Sequence, residues 1–122
     1  SFVQTAAIEA LKQTSEDFRP RLKDMQDRRD FVMKELLAIP GLSVERPAGA
    51  FYVFPDISKH LAKKGWGSEK MAEYLLQDAG VALVPGKPFG DDKKVRISFA
   101  KDLKTLGKGM ERIRQSLQKI LS

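Results

Sequence analysis

The stretch GVALVPGKPFGDDKKVRISFA, residues 80–100, decides the fold, because it holds two predicted strands and the loop between them. Apolar residues alternate with small or polar ones over its last six positions. The apolar members are Val95, Ile97 and Phe99, and the others are Arg96, Ser98 and Ala100. This period of two predicts a strand with one buried face. VALV predicts a second, short buried strand, and PGKPFG a shaped turn, because it lacks the spacing of a phosphate-binding loop.

Arg96 raises the question of what its face of the strand does. A wet face would leave the guanidinium solvated, which is the ordinary role of a strand arginine. A face that lines a cleft would instead let Arg96 bind an anion. The small side chains of Ser98 and Ala100 leave space beside it. The residue pattern by itself leaves both interpretations open.

Helices are predicted on both sides of this stretch. Asp102 precedes a long segment whose apolar residues recur every three or four positions up to Ile120, which predicts a capped amphipathic helix. Ser68 to Ala79 is predicted to form another helix, with Gly80 just after its end. The segment DISKHLAKKGWG between this helix and the preceding strand is expected to be irregular or weakly helical.

The first half of the chain predicts two helices and a β region. One helix begins at the first residues and a second covers about Ser15 to Ala38, with the Ser15 side chain as its possible cap. Strands are expected near Leu42–Glu45 and at Ala50–Phe54; the second of these is apolar on both faces and is expected to be central. The order ααββαββα predicts one α+β domain over residues 1–122, with helices on a small mixed sheet of three to four strands.

Composition limits the classes of function. The 122 residues carry a net charge of +6, with 42% hydrophobic and 31% charged residues and no cysteine. We therefore expect a soluble, cytoplasmic protein with neither disulfides nor a membrane partner, since no apolar run approaches the ~20 residues of a membrane span. Basic and acidic residues are interleaved, which favours solvated helix faces over a nucleic-acid interface. His60, the one histidine, is expected on the surface, and no metal site is predicted.

Three segments resemble a known family. PAGAFYVFPDI, AEYLLQDAGVALVPGKPFG and VRISFAKDLKTLGKGMERI are similar to the carboxy-terminal small domain of class I, fold-type I aminotransferases, which use pyridoxal 5′-phosphate. FVQTAAIEAL and RRDFVMKELLAIPGL look like the helices that link the large domain to the small one. The resemblance covers nearly the whole chain and is nearest to the aspartate-aminotransferase-like branch.

The resemblance implies roles for particular residues. In the family, the arginine of the matching strand binds the α-carboxylate of the amino-acid substrate, and this implies that role for Arg96. Gly49, Ala50 and Phe51 match a segment that borders the substrate pocket, although a tight turn feeding a core strand explains them equally well. The PGKPFG loop would shape the entrance of the cleft.

The resemblance also implies what this chain lacks. In the family the Schiff-base lysine and the other ligands of pyridoxal phosphate come from a large domain upstream. We therefore expect no catalytic, cofactor-binding or metal-binding residue here and an inactive isolated chain. The parent enzyme would be a homodimer acting on amino acids and 2-oxo acids. Two alternatives stay open: a basic nucleic-acid-binding domain, and an interaction module without chemistry.

Overall fold

The computed structural model describes the backbone of residues 1–122 and every side chain except that of Ser15, so the predicted Ser15 cap lies outside the described residues. Five α-helices, three short strands and one 3-10 helix follow one another along the chain. In order they are α1 (Phe2–Lys12), α2 (Ser15–Leu37), β1 (Tyr52–Val53), α3 (Ser58–Lys64), α4 (Ser68–Ala79), β2 (Val84–Pro85), the 3-10 helix (Lys87–Phe89), β3 (Val95–Ser98) and α5 (Leu103–Leu121). The predicted α+β class is confirmed.

The sheet has the order β1-β3-β2, so the strand that contains Arg96 is the central one. Tyr52 pairs with Ser98, and Val84 pairs with Arg96. Both pairings are antiparallel, whereas a mixed sheet was expected; β1 and β2 run in the same direction, but β3 separates them. The expected central position of the Ala50–Phe54 segment is also wrong, because β1 is an edge strand and its apolar outer side chains face away from the helices.

The core lies between the sheet and the helices. The inner face of β3 supplies Val95 and Ile97, both almost fully buried, and Phe99 continues that face just beyond the strand. Three helices cover it with apolar stripes at helical spacing. Their buried residues are Val32, Met33 and Leu36 of α2, Met71, Leu75 and Ala79 of α4, and Leu106, Met110, Ile113, Leu117 and Ile120 of α5. This packing fixes which face of β3 is buried and leaves Arg96 on the other.

Two segments between α2 and α4 differ from expectation. Residues 42–45 form only an isolated bridge, in which Ser43 pairs with Asp56. The segment expected to be irregular contains α3, which begins where the Asp56 carboxylate accepts the Ser58 N–H at 2.8 Å and ends at Gly65 in the left-handed conformation. A short helix with local caps at both ends gives too few turns for a clear periodic pattern.

His60 on α3 is fully buried, which corrects the expected surface position. Leu61 is buried beside it, so α3 turns both side chains inward. Neither ring nitrogen of His60 makes a hydrogen bond within the described residues. Burial lowers the pKa of the imidazole, and the nearby Pro40 carbonyl opposes this shift more weakly. Burial therefore favours the neutral form of this histidine in the folded chain.

Helix α1 has no buried residue, and its largest apolar side chains, Phe2 and Leu11, are 85% and 87% exposed. A cap formed by Ser1 and Gln4 begins this helix.

Within the described residues, no helix is both long and apolar enough to cross a membrane.

Candidate functional site

The face of the sheet that carries Arg96 is not covered by any of the helices that form the core. Strand pairing determines which side chains share this face, because directly paired residues point the same way. We call this surface the open face; its strand residues are Tyr52, Val84, Arg96 and Ser98. All except Arg96 are classed as exposed, and Arg96 itself is half-buried.

The Arg96 guanidinium lies between two aromatic rings. Its central carbon is 4.9 Å from the ring centroid of Tyr52 on β1 and 4.6 Å from that of Phe89 at the end of the 3-10 helix. Stacking on ring faces holds the planar group by cation–π attraction and leaves its N–H edges available. Among the described side chains, no carboxylate forms an ion pair with Arg96. The geometry is that of an oriented cation able to accept an external anion.

The second cation near this face is already engaged. The Lys94 ammonium lies 3.6 Å from the Asp91 carboxylate and 5.4 Å from the ring centroid of Phe54. The Phe54 ring in turn meets the Phe89 ring edge to face at 6.4 Å. The aromatic surface therefore continues from Phe89 towards Lys94, and Arg96 is the cation on it without an acidic partner in the described part of the chain.

The PGKPFG loop positions Phe89 over Arg96. The Gly86 N–H donates to the Lys94 carbonyl at 2.8 Å, and the Gly86 carbonyl accepts the Asp91 N–H at 3.2 Å. A Cβ atom at Gly86 would collide with the backbone oxygens of Asp91 and Lys94, so glycine is required there. Gly90 has φ of +88°, in the left-handed region that glycine adopts without strain. Two glycines thus set the turn that returns Phe89 to the sheet.

A polar contact ties this loop to the start of α4. Asp92 accepts the Ser68 N–H at 2.9 Å and the Ser68 hydroxyl at 2.7 Å, and the Ser68 Oγ accepts the Lys87 N–H at 3.1 Å. The hydrogen bonds from Ser68 lower the pKa of Asp92. From sequence, Asp92 is expected to be solvated in a charged turn, and the residue is indeed exposed. It also caps α4 across 24 residues of chain, a contact that no local spacing rule predicts.

The GAF segment lies at the edge of the open face. Gly49, Ala50 and Phe51 are all exposed, and the Phe51 carbonyl accepts the Phe99 N–H at 2.8 Å. The Phe51 ring meets the Tyr52 ring edge to face at 6.1 Å, which links it to the arginine site through one intermediate ring. Ala50 has φ of +62°, a conformation that costs a non-glycine residue roughly 1–2 kcal/mol.

Sequence reasoning missed the two rings that hold Arg96. The sequence pattern predicts a doubly covered strand at Tyr52, and the family resemblance places Phe89 at the entrance of the cleft. The missing information is the cross-strand register, which joins residues 52 and 98 and cannot be obtained from either strand alone. One signal existed: Tyr52 and Arg96 each flank an inward-facing apolar residue, which predicts that both point outward.

The lysine that precedes Arg96 by two residues is already engaged. The ammonium of Lys94, just before β3, contacts the Asp91 carboxylate and the Phe54 ring. A Schiff-base lysine needs a free amine beside a place for the cofactor ring. In the described chain, no group of three or more His, Cys, Asp or Glu side chains could hold a metal ion.

Comparison with known proteins gives the family. The sequence profile "Aminotransferase class I and II" matches residues 1–113. Over 98% of the chain, the sequence is 43% identical to a probable aspartate/prephenate aminotransferase of Aquifex aeolicus, and over 97% it is 43% identical to an aspartate aminotransferase of Pyrococcus horikoshii. The chain spans only 31% and 30% of these relatives.

Solved structures of aminotransferases are similar to this chain as well. The crystal structure of an aspartate aminotransferase from Rhizobium meliloti superposes with a TM-score of 0.84 at 34% identity, over 94% of this chain and 30% of that one. An alanine aminotransferase from Pyrococcus furiosus gives a TM-score of 0.85 at 30% identity, over 95% of this chain and 29% of its own. The resemblance inferred from the three motifs is confirmed, and the chain belongs to the class I and II aminotransferase family.

Proposed function

We propose that this chain is the carboxy-terminal small domain of a pyridoxal-phosphate-dependent aminotransferase and that Arg96 binds the α-carboxylate of its substrates. One observation supports the role of Arg96 above the others. Its guanidinium contacts two aromatic rings on an uncovered face and has no acidic partner among the described side chains. A solvated surface arginine would not need two aromatic faces to orient it.

The proposed role follows from the shape of the two groups. A guanidinium and a carboxylate are both planar and can form two parallel charge-assisted hydrogen bonds. Cation–π contact with Tyr52 and Phe89 holds the guanidinium in place, so a carboxylate bound to it through two hydrogen bonds would be oriented as well. Amino acids and 2-oxo acids both carry this carboxylate, so one arginine serves both halves of a transamination.

The remaining elements of the reaction are assigned to the part of the enzyme outside this chain. Bound pyridoxal phosphate supplies the electron sink for amino-group transfer. This chain contributes the carboxylate anchor, and Gly49, Ala50 and Phe51 would border the substrate side chain. The exposed apolar surface of α1, with Phe2 and Leu11, is suited to packing against the large domain or a second subunit of a homodimer.

Aspartate is the first amino acid to test, because several similar proteins are named as aspartate aminotransferases. The test measures amino transfer to 2-oxoglutarate from aspartate and from a panel of other amino acids. The protein assayed is the full-length product of the gene that encodes this chain. The proposal predicts transfer for at least one amino acid. Absence of transfer across the panel, with pyridoxal phosphate bound, would contradict it.

The isolated chain provides a second test. After incubation with pyridoxal phosphate and reduction with borohydride, mass spectrometry should find no lysine modified stoichiometrically. One lysine labelled completely while the others stay unmodified would show that the chain holds the cofactor itself, and the assignment of the cofactor site to a missing domain would be wrong.

A further inference from the structure

A cavity that Arg96 does not line opens between the segment 80–83, the end of β3 at Ser98 and the first half of α5. Its volume is about 420 Å³, within the range of small-molecule sites. The ladder between β2 and β3 begins only at Val84, so the preceding residues diverge from β3 and leave this space. The buried side chains of Leu106, Met110 and Ile113 form its apolar floor.

A glycine inside α5 enlarges the cavity. Gly109 lines the space, and a Cβ atom built on it would meet no atom within 4 Å. The same atom on Gly107 would reach Phe31 at 3.7 Å, an ordinary packing contact. Glycine is unfavourable in the middle of a helix compared with alanine. No packing contact requires glycine at position 109. Its missing side chain leaves the space beside the helix unfilled.

Three cations surround this cavity. They are Lys108 and Arg112, which lie four residues apart on α5, and Lys101, which precedes that helix; we call these three residues the cation row. In the described part of the chain none of the three forms an ion pair, and no acidic residue lines the cavity. Cations four residues apart on a helix repel each other. The Arg112 guanidinium lies close to Gly80, 3.8 Å from where a Cβ atom there would be.

We propose that this cavity is a ligand site for a small organic monoanion with an apolar body, a carboxylate attached to an aromatic or branched aliphatic group. The apolar body would lie on Leu106 and Met110, and the carboxylate would be bound by the cation row. A partly enclosed cavity of this volume suits one small molecule. The site goes beyond the proposed transamination and uses none of the residues that hold Arg96.

The test uses 2-naphthoate as the probe and the ¹⁵N-labelled, Met-methyl-labelled chain. We expect saturable binding, with shifts concentrated at the amides of Gly80 and Gly109 and at the Met110 methyl. 2-Naphthalenemethanol, which has the same body without the charge, should bind at least roughly fivefold more weakly, as the loss of a partly solvated charge interaction predicts. Equal affinity for both compounds would contradict the anion site.

Matched variants separate this site from other surfaces. Gly109→Leu fills the cavity, improves helix propensity and should abolish binding, whereas Gly107→Ala should preserve it. Lys108→Gln should weaken binding roughly threefold to fivefold, while Lys104→Gln, an exposed lysine of α5 outside the cavity, should not. Shifts centred on Phe89 instead, undiminished binding to Gly109→Leu, or no saturable binding at millimolar naphthoate would each overturn the proposal.

Discussion

Replacing Arg96 with alanine in the full aminotransferase tests the proposed carboxylate role directly. The fold should survive, because the buried face of β3 is unchanged and Val95 and Ile97 keep their packing. The stability cost is the loss of two ring contacts, at centroid distances of 4.9 and 4.6 Å, worth about 0.5–1 kcal/mol each. The free energy of unfolding should therefore fall by about 1–2 kcal/mol.

The kinetic effect should be much larger. Removing one partner of a buried, hydrogen-bonded charge pair costs about 2–5 kcal/mol, because the other charge is left desolvated without a partner. At about 1.4 kcal/mol per factor of ten, kcat/KM should fall roughly 30- to 4,000-fold. Arg96→Lys should recover only part of this loss, since an ammonium offers no planar pair of donors and stacks less well between Tyr52 and Phe89.

A substrate lacking the carboxylate supplies the decisive comparison. We would measure kcat/KM for an amino acid and for the corresponding amine in the wild-type enzyme and in Arg96→Ala. The amino acid should lose most of its advantage over the amine in the variant, and the amine should react at nearly the same rate in both. Arg21→Ala, an exposed arginine on α2, serves as the control. If Arg96→Ala keeps kcat/KM for the amino acid within about threefold of wild type, the assignment of Arg96 is refuted.

Three further predictions concern stability. In urea denaturation, the free energy of unfolding should decline as pH falls below about 6.5. Burial lowers the pKa of His60, so the unfolded chain takes up a proton more readily than the folded chain does. His60→Leu should remove this slope between pH 5 and 7. Asp92→Ala should lower the melting temperature, because it removes the oxygen that accepts the Ser68 N–H and the Ser68 hydroxyl. Asp92→Asn keeps one acceptor oxygen and should lower the melting temperature less. Ala50→Gly should raise the free energy of unfolding by roughly 0.5–1 kcal/mol by relieving the left-handed backbone, and a decrease in chemical denaturation would contradict this.

The parts of the fold that the sequence predicts well are those with long periodic signals. Helices α4 and α5 lie where their apolar spacing and their flanking residues Gly80 and Asp102 predict. The shorter elements are less predictable, because two-residue strands contain no period. Whether residues 50–54 form a central or an edge strand depends on which strand pairs with which, and β3 takes the central position.

The candidate site likewise has a part that the sequence predicts and a part that it does not. The alternation around Arg96 predicts its outward direction, and family resemblance predicts an anion partner. The groups that orient the arginine come from positions 44 and 7 residues away in the sequence, Tyr52 and Phe89. Such a juxtaposition depends on the sheet register and on the return of the loop, both of which are tertiary properties.

The orientation of Arg96 depends in the end on a helix cap on the far side of the loop. Ser68 at the start of α4 is fully buried and holds Asp92 with two hydrogen bonds, and its hydroxyl oxygen receives the N–H of Lys87, the first residue of the 3-10 helix. That 3-10 helix ends at Phe89, whose ring stacks on the guanidinium. A change at Ser68 should therefore alter the geometry of carboxylate binding without touching the substrate, because it frees the segment that carries the ring. Tyr52 lies on a strand hydrogen-bonded to β3, so its ring should keep its place when Ser68 is changed, and the effect should be confined to the Phe89 contact.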